Sequence, residues 1–116
     1  MQTDAADFKE SLMIRHIVFV KFPVGARSET IEAIFRQLDD LRNVLPGMLS
    51  FRGGANVSPE GLSRGFTHAF VADFADVAAR DAYLIHPAHK AAGAKLVAAT
   101  EGGRDGLIVV EIDLGG

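Results

Sequence analysis

The tract Tyr83-Leu84-Ile85-His86-Pro87-Ala88-His89-Lys90 gathers two of the four histidines and the only tyrosine of the chain around a proline. Histidine titrates near neutral pH, and a tyrosine hydroxyl can donate to an oxygen on which negative charge develops. The same residue types also suit a metal site or a helix cap. Tyr83 and His89 lie six positions apart, which on an unbroken helix puts them about 120° apart around the axis, on different faces. Pro87 disfavours helical geometry at His86 and suits the first position of a new helix. A break there re-aims His89 toward Tyr83. If the two converge, neutral His89 can remove an acidic proton beside a carbonyl while Tyr83 hydrogen-bonds the carbonyl oxygen. His86, directly before Pro87, is the candidate cap and a further candidate for the wall of a binding site.

Two more histidines, His16 and His68, fall on apolar segments, each in alternation with large side chains. Val18 beside His16 and Phe70 beside His68 complete the expected substrate-binding residues. The competing reading for the two histidines is a structural hydrogen-bonded pair. A metal is not expected. His86-x-x-His89 has tolerable ligand spacing, but no carboxylate sits at a spacing tied to it and the chain has no cysteine. Gly53-Gly54 and Gly102-Gly103 lack the lysine and the strand-to-helix context of a phosphate loop.

The elements that must hold these residues read clearly. Residues 14–22 form a β-branched and aromatic strand, ended by Pro23 and Gly25. Period two puts His16, Val18, Val20 and Phe22 on one face, and Ile17, Phe19 and Lys21 on the other. Ser28 offers an N-cap to a helix running to about residue 45, with Ile31, Ile34, Phe35, Leu38, Leu41 and Leu45 at helical spacing. Pro46-Gly47 stops it. A weaker strand covers residues 48–57, with Gly53-Gly54 marking a bulge, a bend or a close backbone approach. Residues 66–74 form a third strand with Phe66, His68, Phe70, Ala72 and Phe74 on one face. Asp76 caps a second helix to about Ile85, a further helix runs from 87 to about 100, and residues 107–114 form the last strand. The order β-α-β-β-α-β predicts a ferredoxin-like α+β protomer, a four-stranded antiparallel sheet with its helices on one face. The other face, carrying Ile17, Phe19, Ala69 and Val71, is too apolar to leave in water. A homodimer packed sheet to sheet is the expected remedy.

The chain is one domain's length at 116 residues, with 48% hydrophobic residues and a formal net charge of −3. Nothing in that balance marks a nucleic-acid or membrane partner. Residues 1–12 are polar, lack the features of a signal peptide, and read as a loose extension or the product of a start upstream of Met13. The domain is expected over 13–114, and the protein reads as soluble and cytoplasmic.

Taken together, His16-Ile17-Val18-Phe19 with Lys21-Phe22, Leu45-Pro46-Gly47, Gly54-Ala55-Asn56-Val57-Ser58, Gly65-Phe66-Thr67-His68, Phe74 and Tyr83-x-x-His86-Pro87-x-His89 resemble the stress-responsive A/B barrel (Dabb) family of the dimeric α+β barrel superfamily, from about Ile14 to Asp113. The resemblance implies a protomer of this fold, paired through its sheets. It implies in addition, from the polyketide-cyclase-type members, an aldol-type ring closure without metal or organic cofactor. Their implicated tyrosine and last motif histidine correspond to Tyr83 and His89, and His16 and His68 match positions facing the same pocket. The wall formed by Ala91, Ala92, Gly93, Ala94 and Ala98 is smaller than in those members. The functional expectation is a small-molecule binder with cyclase-like or isomerase activity, and the alternative is a non-enzymatic stress-associated protein acting through its homodimeric barrel.

Overall fold

The structure is a computed structural model. It describes residues 12–116, so most of the expected N-terminal extension, residues 1–11, lies outside the described residues. Strand β1 spans Met13–Val20, helix α1 Ser28–Asp39, β2 Met48–Ala55, β3 His68–Phe74, α2 Val77–Ile85, α3 Pro87–Ala99 and β4 Leu107–Gly115. The sheet is antiparallel throughout, in the order β2-β3-β1-β4. The ferredoxin-like arrangement is present, with the second half's helix divided in two at His86. No described helix is long and apolar enough to cross a membrane.

The inward face of β1 is Ile14, His16, Val18 and Val20, continued by Phe22, all buried. On β3 it is Phe70, Ala72 and Phe74, and Ile31, Ile34 and Leu38 of α1 close over them. Period two in the strands and the 3.6-residue period in the helix thus converge on one core. Leu12, assigned from sequence to the loose extension, is buried as well.

Three expectations are corrected. The first helix is α-helical only to Asp39 and tightens into a 3-10 turn over Asp40–Asn43, which still buries Leu41. Its N-cap is Arg27, without a side-chain hydrogen bond, and Ser28 is already helical. Phe66 leaves the inward face. Gly65 adopts φ +85° and β3 begins only at His68, so Phe66 escapes the alternation. Its ring meets Phe19 edge-on at 6.5 Å, with Lys21 Nζ 5.1 Å from its centre. The glycine pair in β2 resolves as a close approach, because a Cβ on Gly53 would lie 2.8 Å from Phe35 Cδ2. The register irregularity of β2 falls instead between Met48 and Ser50.

The face turned away from the helices carries an apolar stripe across β1 and β4. Ile17 pairs with Val110 and Phe19 with Ile108. Phe19 is 38% exposed, Ile108 43%, Val110 43% and Ile112 48%. At its polar end Arg15 grips Asp73 through two hydrogen bonds of 2.9 Å, Nε to Oδ1 and Nη2 to Oδ2. That grip holds the Asp73 carboxyl below its usual range.

Candidate functional site

The break at Pro87 is real and has an identifiable cause. His86 is extended, at φ −67° and ψ 132°, as a residue before proline prefers. Its Nδ1 accepts a hydrogen bond of 3.0 Å from the Ala88 N–H, capping α3. Asp76 does the same for α2, accepting from the Ala79 N–H at 2.8 Å.

With that bend, the last turn of α2 and the first turn of α3 bring Tyr83 and His89 together. Their ring centres are 4.0 Å apart. Tyr83 is fully buried and also touches Phe74 at 4.8 Å and His16 at 5.6 Å between centres. Both the Tyr83 hydroxyl and His89 Nδ1 are buried without a hydrogen-bond partner among the described residues. A buried polar atom left unpaired costs about 1–3 kcal/mol, so two on touching rings call for an explanation.

Both residues line a cavity of about 930 Å³ between the sheet and α3, a volume suited to a small-molecule site. His16, Val18 and Phe70 line it from the sheet, and Gly93, Ala94 and Ala98 from the helix. Of the other small residues in α3, Ala92 is packed into the core and Ala91 is exposed. Burial lowers the proton affinity of His89, helped by the neighbouring His16 and His86 and opposed by the Leu84 carbonyl. His89 is therefore neutral near pH 7, the state a base requires. Burial likewise pushes the Tyr83 phenol well above its usual range and keeps it a donor.

His68 and His86 do not line this cavity. His16 lies opposite Ala72 and His68 opposite Val20, four residues apart along the β1–β3 ladder, roughly 13 Å. The two histidines share a sheet face but sit at opposite ends of it, and they form no hydrogen-bonded pair. His68 Nδ1 is 2.8 Å from Thr67 Oγ1, and its ring packs edge-on to Phe22 at 5.0 Å. Burial lowers its proton affinity too. It borders a second cavity of about 340 Å³, which Phe19, Phe66 and Ile108 line.

Two residues that sequence reasoning passed over complete the site. His16 Nδ1 is 2.7 Å from Glu111 Oε2, and Arg80 Nη1 contacts the other oxygen of the same carboxylate. Arg80 also reaches Asp81 at 2.8 Å. A carboxylate on Nδ1 selects the tautomer protonated there and leaves Nε2 as the acceptor. The signals were present in the pattern. Glu111 alternates with Leu107 and Val109 on the inward face of an apolar strand, and Arg80 precedes Tyr83 and Leu84 by one helical turn. Only the β1–β4 register, which sets Glu111 opposite His16, joins them. No group of three or more His, Asp or Glu residues able to hold a metal ion occurs among the described residues.

An antiparallel ferredoxin-like protomer with a cavity between its sheet and its divided helix defines the structural class. Within that class, the stress responsive A/B barrel domain (Dabb) family matches residues 14–113, and the chain belongs to it. A stress-response A/B barrel domain-containing protein of Arabidopsis thaliana is 34% identical over 76 residues, 66% of this chain and 70% of that protein. The olivetolic acid cyclase of Cannabis sativa is 28% identical over 78 residues, 67% of this chain and 77% of the cyclase. Among solved structures, a dimeric ferredoxin-like protein of unknown function from Jannaschia sp. CCS1 superimposes with a TM-score of 0.81 at 36% identity, covering 88% of this chain and 99% of that one.

Proposed function

We propose that this chain is a homodimeric Dabb protein that binds a small organic molecule in the cavity between sheet and α3 and acts on it as a cofactor-free cyclase, lyase or isomerase. The observation that carries the reading is a pair of buried polar atoms without a partner among the described residues, Tyr83 Oη and His89 Nδ1, on rings 4.0 Å apart in one cavity. A β-dicarbonyl compound answers both. Neutral His89 takes the acidic proton between the carbonyls, and the electron pair left on carbon delocalises onto a carbonyl oxygen. Tyr83 donates its hydrogen bond to that oxygen as the charge grows. The enolate carbon then attacks a second carbonyl in a ring closure, and the alkoxide so formed takes the proton back from the histidinium. In an isomerisation the histidinium instead returns the proton to a different atom of the enolate. His16, held by Glu111 through Nδ1, lines the same cavity and orients the substrate. The similarity to a cyclase supports this chemistry.

The homodimer forms through the face carrying Ile17, Phe19, Ala69 and Val71, extended by Ile108, Val110 and Ile112. Its exposed apolar stripe supports the pairing, as does the dimeric state of the Jannaschia protein.

Proton abstraction can be tested before any product is known. In deuterium oxide the wild type should speed exchange of the central protons of benzoylacetone above the buffer rate, followed by proton NMR. His89→Ala should return exchange to that rate, and Tyr83→Phe should slow it about a hundred- to thousandfold. Exchange by the wild type no faster than buffer defeats the enzymatic reading and leaves the non-enzymatic dimer.

A further inference from the structure

Three features of the cavity wall remain unused by the proton-transfer pair. Among the described residues, its only charged lining residues are Lys90 and Arg104, both cations. Neither has an ion-pair partner among the described residues. No carboxylate among the described residues lines the cavity, and Glu111 behind it is already engaged by Arg80 and His16. In a chain whose formal net charge is −3, the cavity is locally positive.

The placement of Lys90 runs against helix electrostatics. It stands in the first turn of α3, where the helix dipole favours acidic groups, and that turn holds none. Gly93 is a second departure from local preference. It lies mid-helix with ordinary backbone geometry, where glycine is less stable than alanine. A Cβ built on it meets nothing within 4 Å. Packing does not demand a glycine there, and the space it leaves belongs to the cavity.

Lys90 and Arg104 stand at opposite ends of α3. The helix rises about 14 Å between Lys90 and its last residue, Ala99, and Arg104 follows in the turn beyond. Lys90 adjoins His89 and so marks the reacting end. Apolar side chains, Val18, Leu107 and Val97 among them, line the space between.

We infer that the ligand is an amphiphilic carboxylate: an extended apolar molecule whose anionic end is held by Arg104 and whose other end reaches Tyr83 and His89. Lys90 adds positive potential at that end, where negative charge develops. The inference rests on the cavity being the binding site, as in the function proposed above, and adds to it the charge and length of the ligand.

Octanoate and octanol, matched in chain and different in charge, are the probes, with binding measured by calorimetry at low salt. The wild type should bind octanoate roughly tenfold more tightly than octanol, the scale of a charge-assisted contact, and added salt should narrow the gap. Arg104→Gln should remove most of that preference, Lys90→Gln a smaller part and the double variant all of it. Octanol affinity should stay unchanged in all three, which shows the cavity intact. Gly93→Leu, whose Cβ would meet nothing within 4 Å and whose longer side chain would occupy cavity space, should abolish binding of both probes. Equal binding of the two probes by the wild type, or a preference that survives Arg104→Gln, overturns the charge inference alone. Failure of both probes to bind, or octanol binding untouched by Gly93→Leu, overturns the cavity reading and the inference with it.

Discussion

Replacing Tyr83 with phenylalanine should stabilise this protein while impairing its chemistry. A buried tyrosine usually loses stability on this change, because its hydroxyl has a partner whose hydrogen bond is lost. Here the ring is fully buried against Phe74, His16 and His89, and the hydroxyl has no partner among the described residues. The ring packing survives the substitution, and what disappears is a desolvated donor worth about 1–3 kcal/mol of penalty. A gain of about 1–2 kcal/mol is expected, since the space vacated by the oxygen forfeits a few contacts. In a domain of this size each kcal/mol moves the melting temperature by roughly 4 °C, so Tm should rise by roughly 4–8 °C. The assay is urea and thermal unfolding of wild type and Tyr83→Phe at one protomer concentration, because a dimer's apparent stability depends on it. Proton exchange into benzoylacetone is followed in parallel. Stability up with activity down is the signature of a polar group kept for function. A Tm lowered by Tyr83→Phe would mean the hydroxyl is satisfied in the folded protein, and the argument for a ligand at this position would fall.

The remaining predictions concern the groups around that ring. His89 has its proton affinity lowered by burial, so between its folded pKa and 6.5 the unfolded chain binds more protons than the folded one. Stability should therefore fall as pH drops below about 6.5 toward that depressed value and be level above it, and His89→Gln should flatten the part of the slope that His68 does not supply. Glu111→Ala should cost about 1–3 kcal/mol by stranding His16 Nδ1, which is buried and has no other partner among the described residues. Nitrogen NMR should then show the His16 ring losing its preference for the Nδ1-protonated tautomer, and an unchanged tautomer would remove Glu111 from the positioning account. Phe19→Glu, in the middle of the exposed stripe, should shift light scattering at micromolar concentration from dimer to monomer. A variant that stays dimeric would place the interface elsewhere.

Most of the fold was legible in the residues because its periodicities are strong and agree with one another. The inward set of β1 follows from alternation alone, and the caps at Asp76 and His86 follow from residue type and from Pro87. The misreadings have local causes. Phe66 sits just outside β3 after a glycine with positive φ, where period two no longer applies. The last turn of the first helix has the same apolar spacing whether it winds as an α-helix or as a 3-10 turn.

The sequence by itself determined the family, the strand faces and the break that allows Tyr83 and His89 to meet, since each depends on neighbours within a few residues or on a short motif. Tertiary structure alone decided which of the four histidines share a space. His16 and His68 look equivalent along their strands, and only the antiparallel register, pairing one with Ala72 and the other with Val20, sends them to opposite ends of the sheet. The β1–β4 register in turn brings Glu111 to His16 across 95 positions of chain. Lys90, Arg104 and the vacant flank of α3 at Gly93 line one cavity only because the sheet closes beneath that helix.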